Sequence, residues 1–320
     1  MIRNLLVVLI LIISVSISAQ NYKCHQCKQP IEGKYIIVED LIFHPNHFIC
    51  AYCGKAIESS YQVHKEEFLH ESCFIDLTVE KCQLCGEPLI GTFLIDIYNV
   101  KVHKHHENEI HRCNNCNRII SKNMTNGGVR HGDGRTLCNL CYENSFKGDY
   151  DDLLKKVLIK LGYYGYRVDE KNISVVAVDN IQLKKYAKGN YVPEMRGYCN
   201  TEVQTTQRGN KITEKSSHTI YVLESIPAEY IESTMAHELM HVWIHQNQIT
   251  NLEPQLEEGS CNFISFTYLK DDNRKYVADI IKQMETDPNL VYGDGFRRIQ
   301  EKFKGRELKE LFSYLKTNKK

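Results

Sequence analysis

The sequence carries no excess of charge of either sign. Its 320 residues include 40 Lys and Arg against 40 Asp and Glu, which gives a formal net charge of zero. Nucleic acids and anionic membranes attract proteins through clustered positive charge. The charges here form no basic stripe, and acidic pairs such as Glu66 and Glu67 lie in the cysteine-rich part of the chain. The composition therefore gives no case for a nucleic-acid partner.

Long apolar runs are also scarce. The run from Leu5 to Ile13 is too short to cross a bilayer, because a spanning helix needs about 20 apolar residues. It follows Arg3 and precedes small residues that end at Ala19, which is the pattern of an export signal. We expect residues 1–19 to be a cleaved signal peptide, with an uncleaved anchor as the alternative. The mature chain is then expected in the periplasm or outside the cell, without membrane association.

The remaining composition is that of a globular protein with two or three domains. Hydrophobic residues make up 42% and charged residues 25% of the chain. Eleven of the 13 cysteines fall between Tyr22 and Tyr142, and the polar segment 148–152 separates them from a region of helical and strand patterns. We therefore predict small cysteine-rich modules followed by a larger domain at residues 149–320.

Eight residues between positions 24 and 73 repeat at the spacing of zinc ligands. They form two groups of four, each made of two pairs that are sixteen residues apart, and the members of a pair have two residues between them. Two residues also separate the first group from the second. The first group is Cys24, Cys27, His44 and His47, and the second is Cys50, Cys53, His70 and Cys73. Imidazole can replace thiolate at a tetrahedral zinc without changing the geometry. The rhythm resembles a LIM domain, in which each group of four holds one zinc, and we predict this domain at residues 22–77.

A looser copy of this pattern follows at residues 80–143. Its groups are Cys82, Cys85, His103 and His106, and then Cys113, Cys116, Cys138 and Cys141. Six residues separate His106 from Cys113, where LIM spacing has two, so His105 and His111 compete for places in the third site. The pattern predicts a LIM-like zinc module and, with the first domain, four structural zinc ions.

Disulfides are the alternative to zinc, because paired cysteines of an exported protein are often oxidised. Bridges leave the histidines unexplained, since these recur in phase with the cysteines. A module of about 55 residues with few large apolar side chains cannot bury enough surface to fold alone, so bound metal would supply its stability. We therefore favour zinc, and we expect the modules to make protein contacts.

The segment from Thr234 to His241 contains a different metal motif. His237 and His241 are four residues apart, so on an α-helix their imidazoles lie about 6 Å apart along the axis and reach one ion. Glu238 lies beside that ion, where its carboxylate can hold and deprotonate a water bound to the metal. This is the HExxH pattern of zinc peptidases.

A zinc peptidase also needs a third protein ligand and one open coordination position. After a turn at residues 247–254, a second apolar helix begins, and a Glu at its start completes a two-His, one-Glu site. We prefer Glu258, because a Glu-Gly pair before a helical run resembles the third-ligand helix of gluzincins; Glu257 is the alternative. His245 lies about 12 Å along the helix from His237 and is expected at the surface or in support of a ligand.

Residues 149–320 are expected to form an α+β domain of the zincin (gluzincin) type. Periodicity predicts a helix at 153–161, strands at 173–178, 198–205 and 218–223, and helices at 261–269, 272–284 and twice beyond residue 295. In such folds the strand before the zinc helix commonly edges the cleft, so we expect residues 220–223 there. Cys199 and Cys261 are expected to be small buried thiols without metal partners, or to bridge one another.

Four segments of this domain carry a resemblance to one family: Pro193 to Cys199, Ala236 to His241, Glu257 to Cys261 and Val291 to Arg297. With the LIM-like modules they resemble the DA-one-like LIM peptidases, which are ubiquitin-activated and limit organ growth in plants. The resemblance runs from about residue 80 to the end of the chain. It implies an endopeptidase that cuts a few protein substrates, with one catalytic zinc held by His237, His241 and Glu258, and with Glu238 as the base.

The plant members carry ubiquitin-binding motifs ahead of the LIM domain, whereas residues 1–19 here form an export signal. We therefore expect an exported bacterial relative and do not carry over ubiquitin activation. Tyr292 and Arg196 are candidates for stabilising the oxyanion. The second module is expected to pack near the cleft and restrict access, or else to recruit partners. The alternative from another class is a non-catalytic LIM scaffold with a peptidase-like domain.

Overall fold

The computed structural model describes residues 22–208 and 211–318, with the side chains of Lys211 and Ile212 left out. The predicted signal peptide lies outside the described residues. Among those that are described, no helix has the length and apolar character needed to cross a bilayer. The chain divides into one unit of Met1–Leu94 with Lys101–His105 and a second of Ile95–Val100 with His106–Lys320.

The first unit consists of short hairpins around a small core. Its elements are β1 (Ile36–Val38), β2 (Leu41–Phe43), β3 (Tyr61–His64), β4 (Glu67–His70), α1 (Glu71–Thr78), β5 (Phe93–Ile95) and β6 (Lys101–His103). Each strand pairs with its neighbour along the chain. Phe48 is fully buried and packs edge-on against Tyr61 and Phe68 at ring distances of 5.4 and 5.2 Å. So few apolar side chains leave much of the stability to bound metal.

The second unit begins with a small zinc module and continues into the larger domain. The module contains α2 (Lys122–Thr125), β7 (Gly128–Arg130), β8 (Thr136–Cys138) and α3 (Asn139–Glu143). Helix α4 (Tyr150–Tyr163) follows, and Asp149 caps it by accepting a hydrogen bond from the Asp152 N–H. The predicted apolar face of this helix is confirmed, since its five residues are all buried: Leu153, Leu154, Val157, Leu158 and Leu161.

A three-stranded mixed sheet forms one side of this domain. Its strands are β9 (Ile173–Val178), β10 (Gly197–Arg208) and β11 (Lys211–Leu223), and helix α5 (Asn180–Ala187) lies between β9 and β10 in the chain. Strand β11 pairs antiparallel with β10 and parallel with β9, so it is the central strand. The prediction that residues 220–223 edge the cleft is therefore wrong, because both edges of that segment are occupied by neighbouring strands.

Five helices complete the second unit: α6 (Ala228–Gln246), α7 (Pro254–Leu269), α8 (Val277–Thr286), α9 (Gly295–Phe303) and α10 (Leu308–Thr317). A π-helical turn at Leu290–Asp294 precedes α9. The predicted helices are confirmed, except that α7 begins earlier and α8 later than the periodicity indicated. Helix α6 lies in the interior, with 12 of its 19 residues buried, among them the polar Glu232, Ser233 and Glu238.

A buried carboxylate fixes α6 against its neighbours. Glu232 is fully buried and accepts hydrogen bonds from Lys156 Nζ on α4 at 2.7 Å and from Tyr268 Oη on α7 at 2.7 Å. The guanidinium of Arg274 also pairs with it. Burial alone would raise the pKa of Glu232, but Arg274, Lys156 and Tyr268 hold it below the ordinary value. The residues of α6 are thereby held in a fixed position relative to α7.

Candidate metal centres and active site

The first unit brings the eight predicted LIM ligands together in the two predicted groups. In the first, Cys27 Sγ lies 3.4 Å from His44 Nδ1 and Cys24 Sγ lies 3.6 Å from His47 Nδ1. In the second, Cys53 Sγ lies 3.4 Å from the Nδ1 atom of His70, and Cys50 and Cys73 complete the group. Within each group the donor atoms lie within 4.8 Å of one another, which suits a four-coordinate zinc.

The backbone fixes which ring nitrogen of two LIM histidines faces the metal. His44 Nε2 lies 3.2 Å from the carbonyl of Pro30, and His70 Nε2 lies 3.1 Å from the carbonyl of Ala56. A carbonyl can only accept, so each Nε2 carries the hydrogen and each Nδ1 keeps its lone pair for zinc. Pro30 and Ala56 occupy equivalent places, because each forms an isolated β-bridge with the residue just before the first cysteine of its group, Lys23 and Ile49 respectively. The two groups are thus copies in structure as well as in spacing.

The third predicted group repeats this arrangement in part. Cys85 Sγ lies 3.5 Å from His103 Nδ1, and His103 Nε2 lies 3.0 Å from the carbonyl of Pro88. The ring of His105 stacks on that of His103. His106 falls in the second unit, where its Nδ1 lies 2.8 Å from Glu109 Oε2. Its role as a zinc ligand stays a prediction.

The fourth group consists of four buried cysteines in the second unit: Cys113, Cys116, Cys138 and Cys141. Cys116 Sγ lies 3.6 Å from Cys138 Sγ, and the side-chain amide of Asn115 donates to Cys141 Sγ at 3.3 Å. All the cysteines of the described chain are free thiols, and the disulfide alternative is not seen there. Four converging sulfurs without a bridge fit a closed structural zinc site.

A different donor set lies where α6 meets α7. His237 and His241 are one turn apart on α6, and Glu258 faces them from α7. Glu258 Oε2 lies 3.2 Å from His237 Nε2 and 3.7 Å from His241 Nε2. That oxygen is buried and accepts no hydrogen bond from any described residue, although both nitrogens are near. Three donor atoms that approach without bonding to one another indicate a shared point in front of them, where a cation fits.

The other nitrogen of each histidine is held by a neighbour on α7. His237 Nδ1 lies 2.9 Å from Asn262 Oδ1, and His241 Nδ1 lies 3.2 Å from Glu257 Oε1. Asn262 donates its amide hydrogen to the carbonyl of Tyr292, which leaves its oxygen for His237. These contacts leave both Nε2 atoms for a metal. They also distinguish the two candidates for the third ligand, because Glu257 contacts His241 Nδ1 whereas Glu258 approaches His241 Nε2.

Asn262 was not anticipated from the sequence. It lies four residues after Glu258, so both side chains project from the same face of α7 towards α6. The four-residue spacing could have indicated that Asn262 faces the same helix as Glu258. Its role as the partner of His237 follows only once the packing of α7 on α6 is known.

Glu238 is placed as a base beside this centre. Its side chain is only 6% exposed. Burial raises the pKa of Glu238, while the nearby His237 and His241 act in the opposite direction. Strand β10 passes close by, since a Cβ atom at Gly197 would lie 3.4 Å from Glu238 Oε1 and 2.3 Å from Thr234 Cγ2. Only glycine allows the strand to approach α6 this closely.

The two candidates for stabilising an oxyanion have different surroundings. The ring of Tyr292 faces that of His237 at 6.5 Å, and burial raises the pKa of Tyr292 to about 12. Arg196 instead bonds to the carbonyl of Asn115 and to Gln283 Oε1. Tyr292 therefore lies at the centre as a neutral phenol, whereas the guanidinium of Arg196 is committed to contacts elsewhere.

The remaining two predictions concern His245 and the pair of cysteines. His245 packs edge-on against His218 at a ring distance of 5.1 Å and does not join the donor group. Cys199 and Cys261 form no disulfide. The expectation that Cys261 lacks metal-ligand neighbours is wrong, because its Sγ lies 3.6 Å from His241 Nε2 and belongs to the same donor group. Cys261 is three residues after Glu258, which places it on the same face of α7.

Two family profiles match parts of the chain. Residues 169–278 match the DA1-like family (Protein DA1), and residues 24–78 match the LIM domain. The LIM prediction is thereby confirmed. The DA1-like match contains β9, β10, β11, α6 and α7, and so includes all residues of the donor group between the two helices.

Several plant proteins are similar to most of the chain. Protein DA1-related 2 of Arabidopsis thaliana is 29% identical in an alignment of 290 positions that covers 78% of this chain and 53% of that protein. LIM domain-containing protein HDR3 of Oryza sativa subsp. japonica is 25% identical in an alignment of 285 positions that covers 78% of this chain and 56% of that protein. Protein DA1 of Arabidopsis thaliana is 23% identical in an alignment of 338 positions, gaps included, that covers 86% of this chain and 63% of that protein. These matches support the DA1 family, and the chain spans about half the length of the first two relatives.

Proposed function

We propose that the chain is a zinc-dependent endopeptidase of gluzincin type whose metal is held by His237, His241 and Glu258. One observation carries the proposal. The two Nε2 atoms and Glu258 Oε2 converge, while Asn262 and Glu257 hold the opposite nitrogens of the two imidazoles. Supporting contacts of this kind orient ligands towards a metal and fix their tautomers.

The donor set suits zinc in its catalytic form. Two imidazoles and one carboxylate are among the three-ligand sets that leave a fourth position for water or substrate. The three side chains are between 16% and 23% exposed, so small molecules can reach them from solvent. When bound, zinc would supply Lewis acidity that polarises the scissile carbonyl and lowers the pKa of water.

Glu238 would be the general base. Its carboxylate would take a proton from the attacking water as a base and pass it to the leaving amine as an acid. A raised pKa suits both steps, because the protonated form must persist long enough to serve as the acid. Tyr292, as a neutral phenol beside His237, is the proposed donor to the developing oxyanion.

Strand β10 is the proposed support for extended substrate. It begins at Gly197 beside Glu238, and the side of β10 opposite β11 pairs with no other strand in the described parts of the sheet. A peptide added there would be held by main-chain hydrogen bonds next to the base. This replaces the role that the sequence suggested for residues 220–223.

Two further roles concern the LIM domain and residues 1–19. LIM domains are generally protein-interaction modules, and we propose that the matched domain binds a substrate or partner protein. Export to the periplasm or medium is proposed from residues 1–19 alone. Fractionating cells that express the full chain, with Arg3→Glu as a comparison, would test export through N-terminal processing.

The function is tested by Glu238→Gln in the full chain. Positioned general bases contribute roughly 100- to 10,000-fold to rate, so cleavage of a casein-type unfolded substrate should fall by that factor. Metal content, measured by elemental analysis, should not change, because Glu238 is not a ligand. Glu229→Gln, in the first turn of the same helix, is the matched control and should cleave at the rate of the unaltered protein.

Two outcomes would contradict the proposal. Full activity of Glu238→Gln would remove this residue from the mechanism. Absence of cleavage by the unaltered, fully metal-loaded protein towards whole-cell protein mixtures would favour the non-catalytic LIM scaffold instead.

A further inference from the structure

The inner face of α7 presents a fourth donor atom to the proposed catalytic centre. Cys261 is fully buried, and its Sγ lies 3.6 Å from His241 Nε2. The ligand atoms of His237, His241, Glu258 and Cys261 all lie within 4.8 Å of one another.

Three of the distances between these atoms match edges of a tetrahedron around zinc. With Zn–N and Zn–O near 2.1 Å and Zn–S near 2.3 Å, the edges of such a tetrahedron are about 3.4 Å between N or O donors and about 3.6 Å from sulfur to nitrogen. The observed separations are 3.2 and 3.7 Å from Glu258 Oε2 to the two Nε2 atoms and 3.6 Å from Cys261 Sγ to His241 Nε2. Cys261 therefore fits the fourth corner.

Simple packing does not account for this position. A buried thiol that serves only as a small apolar group contacts other apolar side chains. Cys261 instead meets an imidazole nitrogen that is already oriented for a metal by Glu257. Thiolate is a ligand that zinc accepts readily, and with it the site would have four protein ligands, as closed structural sites do.

We infer that Cys261 is a fourth protein ligand of the catalytic metal and holds the centre in a closed resting form. The inference rests on the proposed metal site. Peptide cleavage needs that fourth position for water, so the thiolate has to leave it before the first turnover. As a ligand, Cys261 would give up its thiol proton to solvent, and on leaving the metal it would take one proton back.

Cobalt replacement in the full chain tests this inference without using activity. A chelator is titrated until elemental analysis shows the loss of one zinc per chain, Co²⁺ refills the vacated site, and the Cys261 variants are prepared in the same way. Thiolate bound to Co²⁺ gives an intense near-ultraviolet charge-transfer band, whereas imidazole and carboxylate do not. We expect that band in the unaltered protein and in Cys199→Ala, and its complete loss in Cys261→Ala and Cys261→Ser. Affinity for the metal should fall at least ~10-fold in both Cys261 variants.

The outcomes separate the inference from the proposed function. Visible cobalt bands without the ultraviolet band in the unaltered protein would overturn the role of Cys261 and leave the three-ligand site intact. The same follows if the band persists in Cys261→Ser, which retains nearly the size of the thiol. A full chain that takes up no cobalt after chelation would overturn the metal centre and the inference together.

Discussion

At the scale of single residues, the orientation of the two metal-binding imidazoles depends on the hydrogen-bond partner of each Nδ1 atom. The HExxH spacing was enough to predict that His237 and His241 face one point, because helix geometry alone brings them together. The supporting partners Asn262 and Glu257 come from another helix. Their roles depend on how α6 and α7 pack, and the sequence does not encode that packing in any local spacing. Cys261 was misjudged for the same reason.

Asn262→Ala should weaken metal binding at the catalytic centre. His237 would lose the acceptor that fixes its Nδ1–H, and contacts of this kind are worth roughly 10- to 100-fold in metal affinity. Competition with a chromophoric chelator measures the change. Asn262→Asp should restore affinity, since its carboxylate accepts the same hydrogen bond, and Asn318→Ala at the exposed end of α10 serves as the control. Unchanged affinity in Asn262→Ala would show that the contact does not position the ligand.

At the scale of elements, periodicity predicted α4 and the helices from α6 to α10 but missed α5, and strand order escaped it. The apolar face of α4 is a local property that can be read along the chain. The order β10-β11-β9 depends on which strands pair, and only a contact across the sheet reveals that β11 is central. The close approach of α7 to α9 is equally non-local. It depends on Gly259 and Gly295, which the sequence presents as two unrelated glycines.

Gly259→Ala should destabilise the second unit. A Cβ there would lie 2.4 Å from the carbonyl carbon of Gly295, and backbone atoms cannot move aside as a flexible side chain can. Forcing extra volume into a packed interface costs about 1–3 kcal/mol. The melting temperature, followed by the fluorescence of Trp243, should fall. The matched control is Gly189→Ala, because a Cβ there meets nothing within 4 Å. Equal melting temperatures for the two variants would contradict the close approach.

At the scale of the whole molecule, cysteine spacing predicted two similar zinc modules, but the second is divided: Cys82, Cys85 and His103 belong to the first unit, and the four-cysteine module belongs to the second. The core of the first unit is a cluster of its own. The four buried cysteines from Cys113 to Cys141 belong instead to the main apolar cluster of the second unit. Tyr276 Oη donates to the carbonyl of Leu140 at 2.6 Å, and Gln283 Nε2 donates to that of Cys116 at 3.2 Å. This module is therefore part of the core that supports α6.

That sharing changes how the predicted inhibitory role can be examined. A chain that starts at Asp149 would lack Leu137 and the four cysteines, which are buried in the same cluster as Tyr230 and Met235. Its activity would report a damaged core as well as any released restraint. Whether the module limits access to the centre stays a prediction, and point substitutions on its surface are the better test.

Loss of the four-cysteine zinc should destabilise the domain that carries the active site. The chain has one tryptophan, Trp243 on α6, which is 4% exposed and stacks on Phe312, so its fluorescence reports this domain alone. Structural zinc contributes several kcal/mol, and each kcal/mol is worth about 2–4 °C for a unit of this size, so Cys141→Ser should lower the melting temperature by at least ~10 °C. Cys50→Ser removes a zinc from the first unit and should leave the tryptophan transition in place while lowering zinc content equally.

If both variants shift that transition by the same amount, the four-cysteine module does not support the core around Trp243 more than the first unit does. If neither does, its four cysteines do not hold a structural metal on which α6 depends.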